Sequence, residues 1–110
     1  MDVSIIGSGN VATVLGRLII KAGHTITEVT SKNIAHAQAL AKEINAKAND
    51  NISCLSKNSD IYLIAVSDNA IEEVCKQIIL NDKIAVHTSG AISKDLLQHV
   101  SSFYGVLYPL

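Results

Sequence analysis

The sequence predicts a doubly wound α/β domain, a parallel sheet with helices on both faces. Three observations carry that expectation. Short apolar runs rich in Val and Ile (Val3 to Ile6, Ile61 to Val66, Ile84 to His87) recur along the chain. They are continuous rather than alternating, as strands buried on both faces are. Between them lie segments whose apolar residues repeat at helical spacing, so strand follows helix follows strand, the pattern of parallel crossovers.

Taken in order, Val3 to Ile6 is the first strand, and Gly7-Ser8-Gly9 turns the chain into a helix from Asn10. Val11, Leu15, Leu18 and Ile19 are spaced to form its apolar stripe. Gly23 stands where a left-handed C-cap belongs. Thr25 to Ser31 alternates and is rich in β-branched residues, which makes it the second strand. Ile34, Ala37, Leu40, Ala41 and Ile44 mark the second helix, with Lys42 and Glu43 outward, and Ala46 to Ala48 a brief third strand. Asn49 to Asp60 is polar and turn-rich, with room for one helical turn.

Ile61 to Val66 is the most strand-like run of all. Ser67 or Asp68 can cap the helix that carries Ile71, Val74, Cys75 and Ile78 on one face. Asn81-Asp82 leads into a fifth strand at Ile84 to His87. Ser93 opens a short helix through Val100, and Tyr104 to Leu107 is the sixth strand.

Bulk properties narrow the function. A length of 110 residues is one domain, and 48% hydrophobic against 17% charged residues describes a globular chain with a real core. Net charge is −1 with charges scattered, so a nucleic-acid or membrane surface is not expected. An aromatic content of 4% argues further against base-stacking platforms. No apolar run approaches membrane-helix length. Cys54 and Cys75 have no CxxC spacing and read as reduced core or near-core thiols, as in a cytoplasmic protein.

Chemistry concentrates in Gly7-Ser8-Gly9-Asn10-Val11-Ala12, a GxGxxG/A pattern. Alone it is weak. Here it follows a buried strand, opens a helix and lies in a βαβ unit of about 30 residues, the context of a Rossmann-type dinucleotide site. Gly7 makes the tight turn, Gly9 lets a pyrophosphate approach the backbone, and Ala12 permits close helix–strand packing. The N–H groups of Asn10 and Val11, at the positive end of the helix dipole, then meet phosphate.

Cofactor type is written at the end of the second strand. Glu28 stands about 20 residues past Gly9, the spacing of an NAD-type acid, but it falls in mid-strand. The strand end reads Thr30-Ser31-Lys32-Asn33. A hydroxyl and an ammonium suit a 2′-phosphate, which favours NADP, with NAD as the alternative. The carboxyl ends of the later strands, Val66-Ser67-Asp68-Asn69 and His87-Thr88-Ser89-Gly90, point into the same crevice. His87 is the histidine beside these strand ends, yet at a strand end it reads as structural, and no residue stands out as catalytic. His24, His36 and His99 read as surface or capping residues, and no metal-ligand cluster emerges from the spacing.

The segments IIGSGNVATVLG, GHTITEVTSKN, IYLIAVSDNAIEEV, AVHTSGAIS and YGVLYP together resemble the Rossmann-like NADP oxidoreductases whose partner domain has no known function. These are distantly similar to pyrroline-5-carboxylate reductase and deazaflavin-dependent NADP reductases. The resemblance implies that Gly7, Ser8, Gly9, Asn10 and Val11 cradle the pyrophosphate and that Ser31 and Lys32 meet the 2′-phosphate. Relatives commonly carry Ser-Arg there, and Lys lacks the bidentate fork of Arg. It places Val66, Ser67 and Asp68, with Thr88 and Ser89, along the nicotinamide side. It also implies a helical C-terminal domain after the YP motif, supplying a small-molecule substrate cleft and homodimer contacts, so that residues 1–110 are the cofactor half.

The expected function is therefore hydride transfer to or from a small imine- or carbonyl-type substrate. The alternative is a nucleotide-binding regulatory or sensor module without turnover. An S-adenosylmethionine-dependent methyltransferase wants an acid at the end of the second strand, and Ser31-Lys32 speaks against it.

Overall fold

The computed structural model describes residues 1–88, 97–98 and 100–107. The order of elements is β1 (Asp2–Ile6), α1 (Asn10–Lys21), β2 (Thr25–Thr30), α2 (Ile34–Glu43), β3 (Lys47–Asn49), a 3-10 turn (Ile52–Cys54), β4 (Ile61–Ile64), α3 (Asp68–Gln77), β5 (Asn81–His87) and β6 (Ser101–Val106). The strands form one six-stranded sheet in the order β3-β2-β1-β4-β5-β6, and every pairing is parallel. The order of the strands therefore reverses between β1 and β4, the switch point where open α/β sheets bind ligands. The expected helix from Ser93 falls mostly outside the described residues, as do Ser89, His99 and Tyr108 to Leu110.

The sheet has a core on each face. Val3, Ile5, Ile26, Val29 and Leu63 pack with Leu15 of α1 and Leu40 of α2. Ile6, Tyr62 and Ile64 pack on the other face with Ile71, Val74 and Cys75 of α3. Each such side chain, fully buried, contributes about 1.5–3 kcal/mol. α1 lies closer to the sheet than its stripe of large residues suggests. Its buried positions are Ala12, Leu15 and Gly16, and a Cβ on Gly16 would stand 3.5 Å from Ile5 Cδ1. The small residues rotate the helix onto that line, which leaves Val11 and Leu18, expected on the buried stripe, exposed instead.

Helix ends follow backbone rules. Gly23, at φ +94°, ends α1 in the left-handed conformation. Asn45, at φ 57°, does the same for α2, and Ala46 N–H closes the turn on Ala41 O at 2.8 Å. Two strands are longer than the apolar runs that announced them. Ser101 begins β6 and its Oγ bonds Asn81 O at 3.0 Å and Lys83 O, bridging a pairing irregularity at the start of β5.

Polar residues of β1 and β2 meet the segment 50–60. Ser4 Oγ lies 2.7 Å from Ser59 Oγ, which also meets Thr27 Oγ1 at 2.8 Å. Glu28 is 8% exposed, and its carboxylate accepts from Ser56 N–H at 2.9 Å. Tyr62 OH donates to Ser56 O and accepts from Ser59 N–H at 3.3 Å. Burial pushes the Tyr62 phenol pKa up, so it stays protonated and structural. Of the two thiols expected near the core, Cys75 is buried and Cys54 is exposed. Cys54 belongs to the 3-10 turn, which turns its side chain away while Leu55 enters the core.

Glu28→Ala removes the acceptor that holds Ser56 N–H, and should cost about 1–3 kcal/mol in urea unfolding. Glu28→Gln retains an acceptor and should recover part of that loss.

Candidate dinucleotide site

Lateral register aligns the carboxyl ends of the strands. Asn49, Thr30, Ile6, Ile64, His87 and Val106 form one row across the sheet. The site lies just beyond that row, and Gly7 is its fixed point. Gly7 N–H donates to Thr30 O at 2.7 Å, and a Cβ on Gly7 would come within 2.1 Å of Ala65 O. With φ at +120° as well, only glycine fits. The tight turn expected here thus rests against both neighbouring strands.

Gly9 is glycine for a different reason. Its φ of −82° suits any residue, and a Cβ there would meet nothing within 4 Å. No protein atom requires the small residue, so the free space in front of α1 fits a group from outside the chain. Gly9 is also the N-cap of α1, and no side chain caps that end. α3 starts the same way, from Ser67 with no side-chain cap bond. By contrast Asn33 caps α2 through His36 N–H at 3.1 Å. The two helices that begin at the strand ends flanking the switch point keep donors for a ligand.

Ser31 shows directed hydrogen bonding. Its Oγ accepts from Ser8 Oγ at 2.8 Å and from Asn33 N–H at 3.2 Å. Both lone pairs of the hydroxyl are then engaged, and its own proton is left to donate outward.

A cavity of about 530 Å3 opens at the strand ends, a volume suited to a small-molecule or cofactor group. Gly7, Thr30, Ser31 and Lys32 border it on one side, and Val66, Ser67, Ala70 and Val74 on the other. Asp50, Asn51 and Ile52 close a third side. The polar loop that precedes β4 is therefore a wall of the site, which the sequence pattern did not mark; Ile52 and Leu55 within the polar run were the available signal. A second concavity of about 380 Å3 runs from Ser8, Gly9 and Asn10 along Thr13 to Arg17. Its far end is closed by the bidentate pair between Arg17 and Glu43, 2.7 Å at the shortest.

The structure brings Gly7, Ser31, Lys32, Val66 and Ser67 into one cavity, and Ser8, Gly9 and Asn10 into the adjoining one. Val11 is exposed on α1, Asp68 is the first residue of α3, and Thr88 follows β5; none of the three borders either space. Val66 and Ser67, expected along the nicotinamide side, share their cavity with Ser31 and Lys32. Ser89 lies outside the described residues. Glu28, despite its spacing from Gly9, faces the loop before β4 rather than the crevice. His87 is fully buried. Among the described residues no group of three His, Cys, Asp or Glu could hold a metal ion, and no helix is long and apolar enough to cross a membrane.

Sheet order, glycine turn and open helix N-termini define a Rossmann-type nucleotide-binding domain. The chain belongs to the family described as NADP oxidoreductase, coenzyme F420-dependent, whose sequence model matches residues 2–90. It is 27% identical over 110 aligned residues to a glycerol-3-phosphate dehydrogenase [NAD(P)+] of Clostridium botulinum, covering 88% of this chain and 33% of that one. The fold superimposes with a TM-score of 0.88 and 25% identity on a proposed NADP oxidoreductase from Bacteroides fragilis, over 99% of this chain and 44% of that one. An imine reductase from Myxococcus stipitatus, solved in complex with NADP+, has the same fold at a TM-score of 0.72 and 21% identity, over 99% of this chain and 42% of that one. The chain thus spans about a third of the length of the curated relatives it matches. It is a nucleotide-binding domain of the NAD(P)-dependent oxidoreductase type.

The two glycines should respond oppositely. Gly7→Ala must displace backbone, and should cost at least about 2 kcal/mol or prevent folding. Gly9→Ser supplies a favourable N-cap and should leave thermal stability equal or higher, while lowering dinucleotide affinity at least about 10-fold. Calorimetric melting and fluorescence titration with NADPH distinguish them.

Proposed function

We propose that this chain is the NADP-binding half of an oxidoreductase that transfers hydride to or from a small imine- or carbonyl-type substrate. The observation that carries the choice of NADP is the Ser31 hydroxyl. Fixed as an acceptor by Ser8 and Asn33, it offers the ligand a donor, and a phosphate oxygen is a pure acceptor. Lys32 borders the same cavity and adds a point charge. A carboxylate at the Ser31 position would accept from ribose hydroxyls and repel a 2′-phosphate.

The remaining roles follow from position. The N–H groups at the start of α1, beyond Gly9, meet the pyrophosphate. Val66 and Ser67 border the adenosine side together with Ser31, while Asp68, Thr88 and Ser89 are assigned to the nicotinamide side. Bound there, the nicotinamide supplies the hydride chemistry, and these residues supply position and charge. The substrate cleft, the proton donor and homodimer contacts are assigned to a helical domain beyond residue 110. This rests on the length of the relatives and on the resemblance of the YGVLYP segment.

Titrating the protein with NADPH and NADH tests the reading, and NADPH should bind at least about 10-fold tighter. Ser31→Asp should reverse or abolish that ratio. Ser8→Ala releases the Ser31 hydroxyl to rotate, and should weaken NADPH about 3- to 10-fold with a smaller effect on NADH. Equal affinities of the unaltered protein for the two cofactors contradict the role given to Ser31 and Lys32.

A further inference from the structure

Thr30 presents a polar group that the protein leaves without a partner. It is 3% exposed, and its Oγ1 is the buried side-chain oxygen or nitrogen without a hydrogen-bond partner among the described residues. Buried hydroxyls are nearly always bonded, and one that is not requires an explanation. Along β2 the side chains alternate. Val29 joins the core beneath α1 and α2, so Thr30 projects to the opposite face, where it borders the 530 Å3 cavity.

We infer that Thr30 Oγ1 is the polar anchor for the purine base of the bound nucleotide, donating to a ring nitrogen of adenine. The inference rests on the dinucleotide reading above and adds to it a residue that reads the base. The cavity suits a base in form and chemistry. Ile52, Val66, Ala70 and Val74 supply apolar lining, which suits the faces of a flat ring. A base also has a polar edge, and its ring nitrogens accept hydrogen bonds. Base and 2′-phosphate are borne by adjacent ribose carbons. Thr30 and Ser31 are adjacent residues that border the same cavity, so a single ribose can present phosphate to Ser31 and base to Thr30. The rim is consistent with this polarity. Lys32 is its cation, and Asp50 and Glu73 are acceptors suited to an exocyclic amino group rather than to a second phosphate.

Thr30→Val tests the inference, because it keeps the β-branched shape and removes only the hydroxyl. An unpartnered buried hydroxyl destabilises the free protein, so the melting temperature of ligand-free Thr30→Val should hold or rise. Its affinity for 2′,5′-ADP and for NADPH should fall about 3- to 10-fold. Affinity for reduced nicotinamide mononucleotide, which has no adenine, should not change. Thr30→Ser should restore tight binding of 2′,5′-ADP. If Thr30→Val melts lower and binds 2′,5′-ADP as the unaltered protein does, the hydroxyl serves the fold and the inference falls while the dinucleotide site stands. An equal loss for the mononucleotide also overturns it, since the damage is then general. Failure of the unaltered protein to bind 2′,5′-ADP or NADPH overturns both readings together.

Discussion

At Gly7 the chain leaving β1 passes against the carbonyl of Ala65, where a Cβ would stand 2.1 Å from that oxygen. The same residue's N–H bonds Thr30 O. One backbone unit thereby ties the exit of β1 to the ends of β2 and β4, its two neighbours in the sheet. The direction of α1, the opening in front of Gly9 and the alignment of Thr30 with Ile6 and Ile64 all follow from that contact. A domain that grips phosphate with backbone amides needs those amides held in place before the ligand arrives, and close packing of main chain on main chain is a stiff way to do so.

From that point the two directions of the sheet divide the work. Toward β2, the strand end supplies hydroxyls and a cation, and Ser8 reaches across from the glycine turn to orient Ser31. Toward β4, the strand end opens into α3, whose first turn is uncapped and whose Ala70 and Val74 form a wall of the cavity. The loop from 50 to 60 joins the two halves. It is held by groups inside the fold, Glu28 to Ser56 and Ser4 to Ser59, so that Ile52 can face the cavity. Polar residues buried in β1 and β2 thus serve the site indirectly, by fixing its outer wall.

Much of this was legible in the residues themselves. Continuous apolar runs announced β1, β4 and β5 within a few residues, because strands buried on both faces have little freedom of composition, and alternation of β-branched residues announced β2. The glycine turn was readable from its position between strand and helix, and the strand end Thr30-Ser31-Lys32 from its distance along the chain. What escaped was set by packing. The stripe of α1 shifted to Ala12, Leu15 and Gly16 because small residues let the helix approach the sheet, a preference that hydropathy does not record. Glu28 matched a functional spacing but faced a loop, since strand alternation decides which side a residue serves. The wall made by Asn51 and Ile52 lay in a stretch without period, and the unpartnered hydroxyl of Thr30 is visible only when its surroundings are.

The central claim is that the row of strand ends around Gly7 forms one dinucleotide site. Amide chemical shifts recorded while NADPH is added test it most directly. The account predicts that the amides of Gly9, Asn10, Val11, Ser31, Lys32 and Ser67 move together along one saturable curve. The amides of Asp2, Thr25 and Asp60, at the amino ends of the central strands, stay in place. Shifts concentrated at those amino ends, or none at Gly9 to Val11 under saturating NADPH, would contradict it.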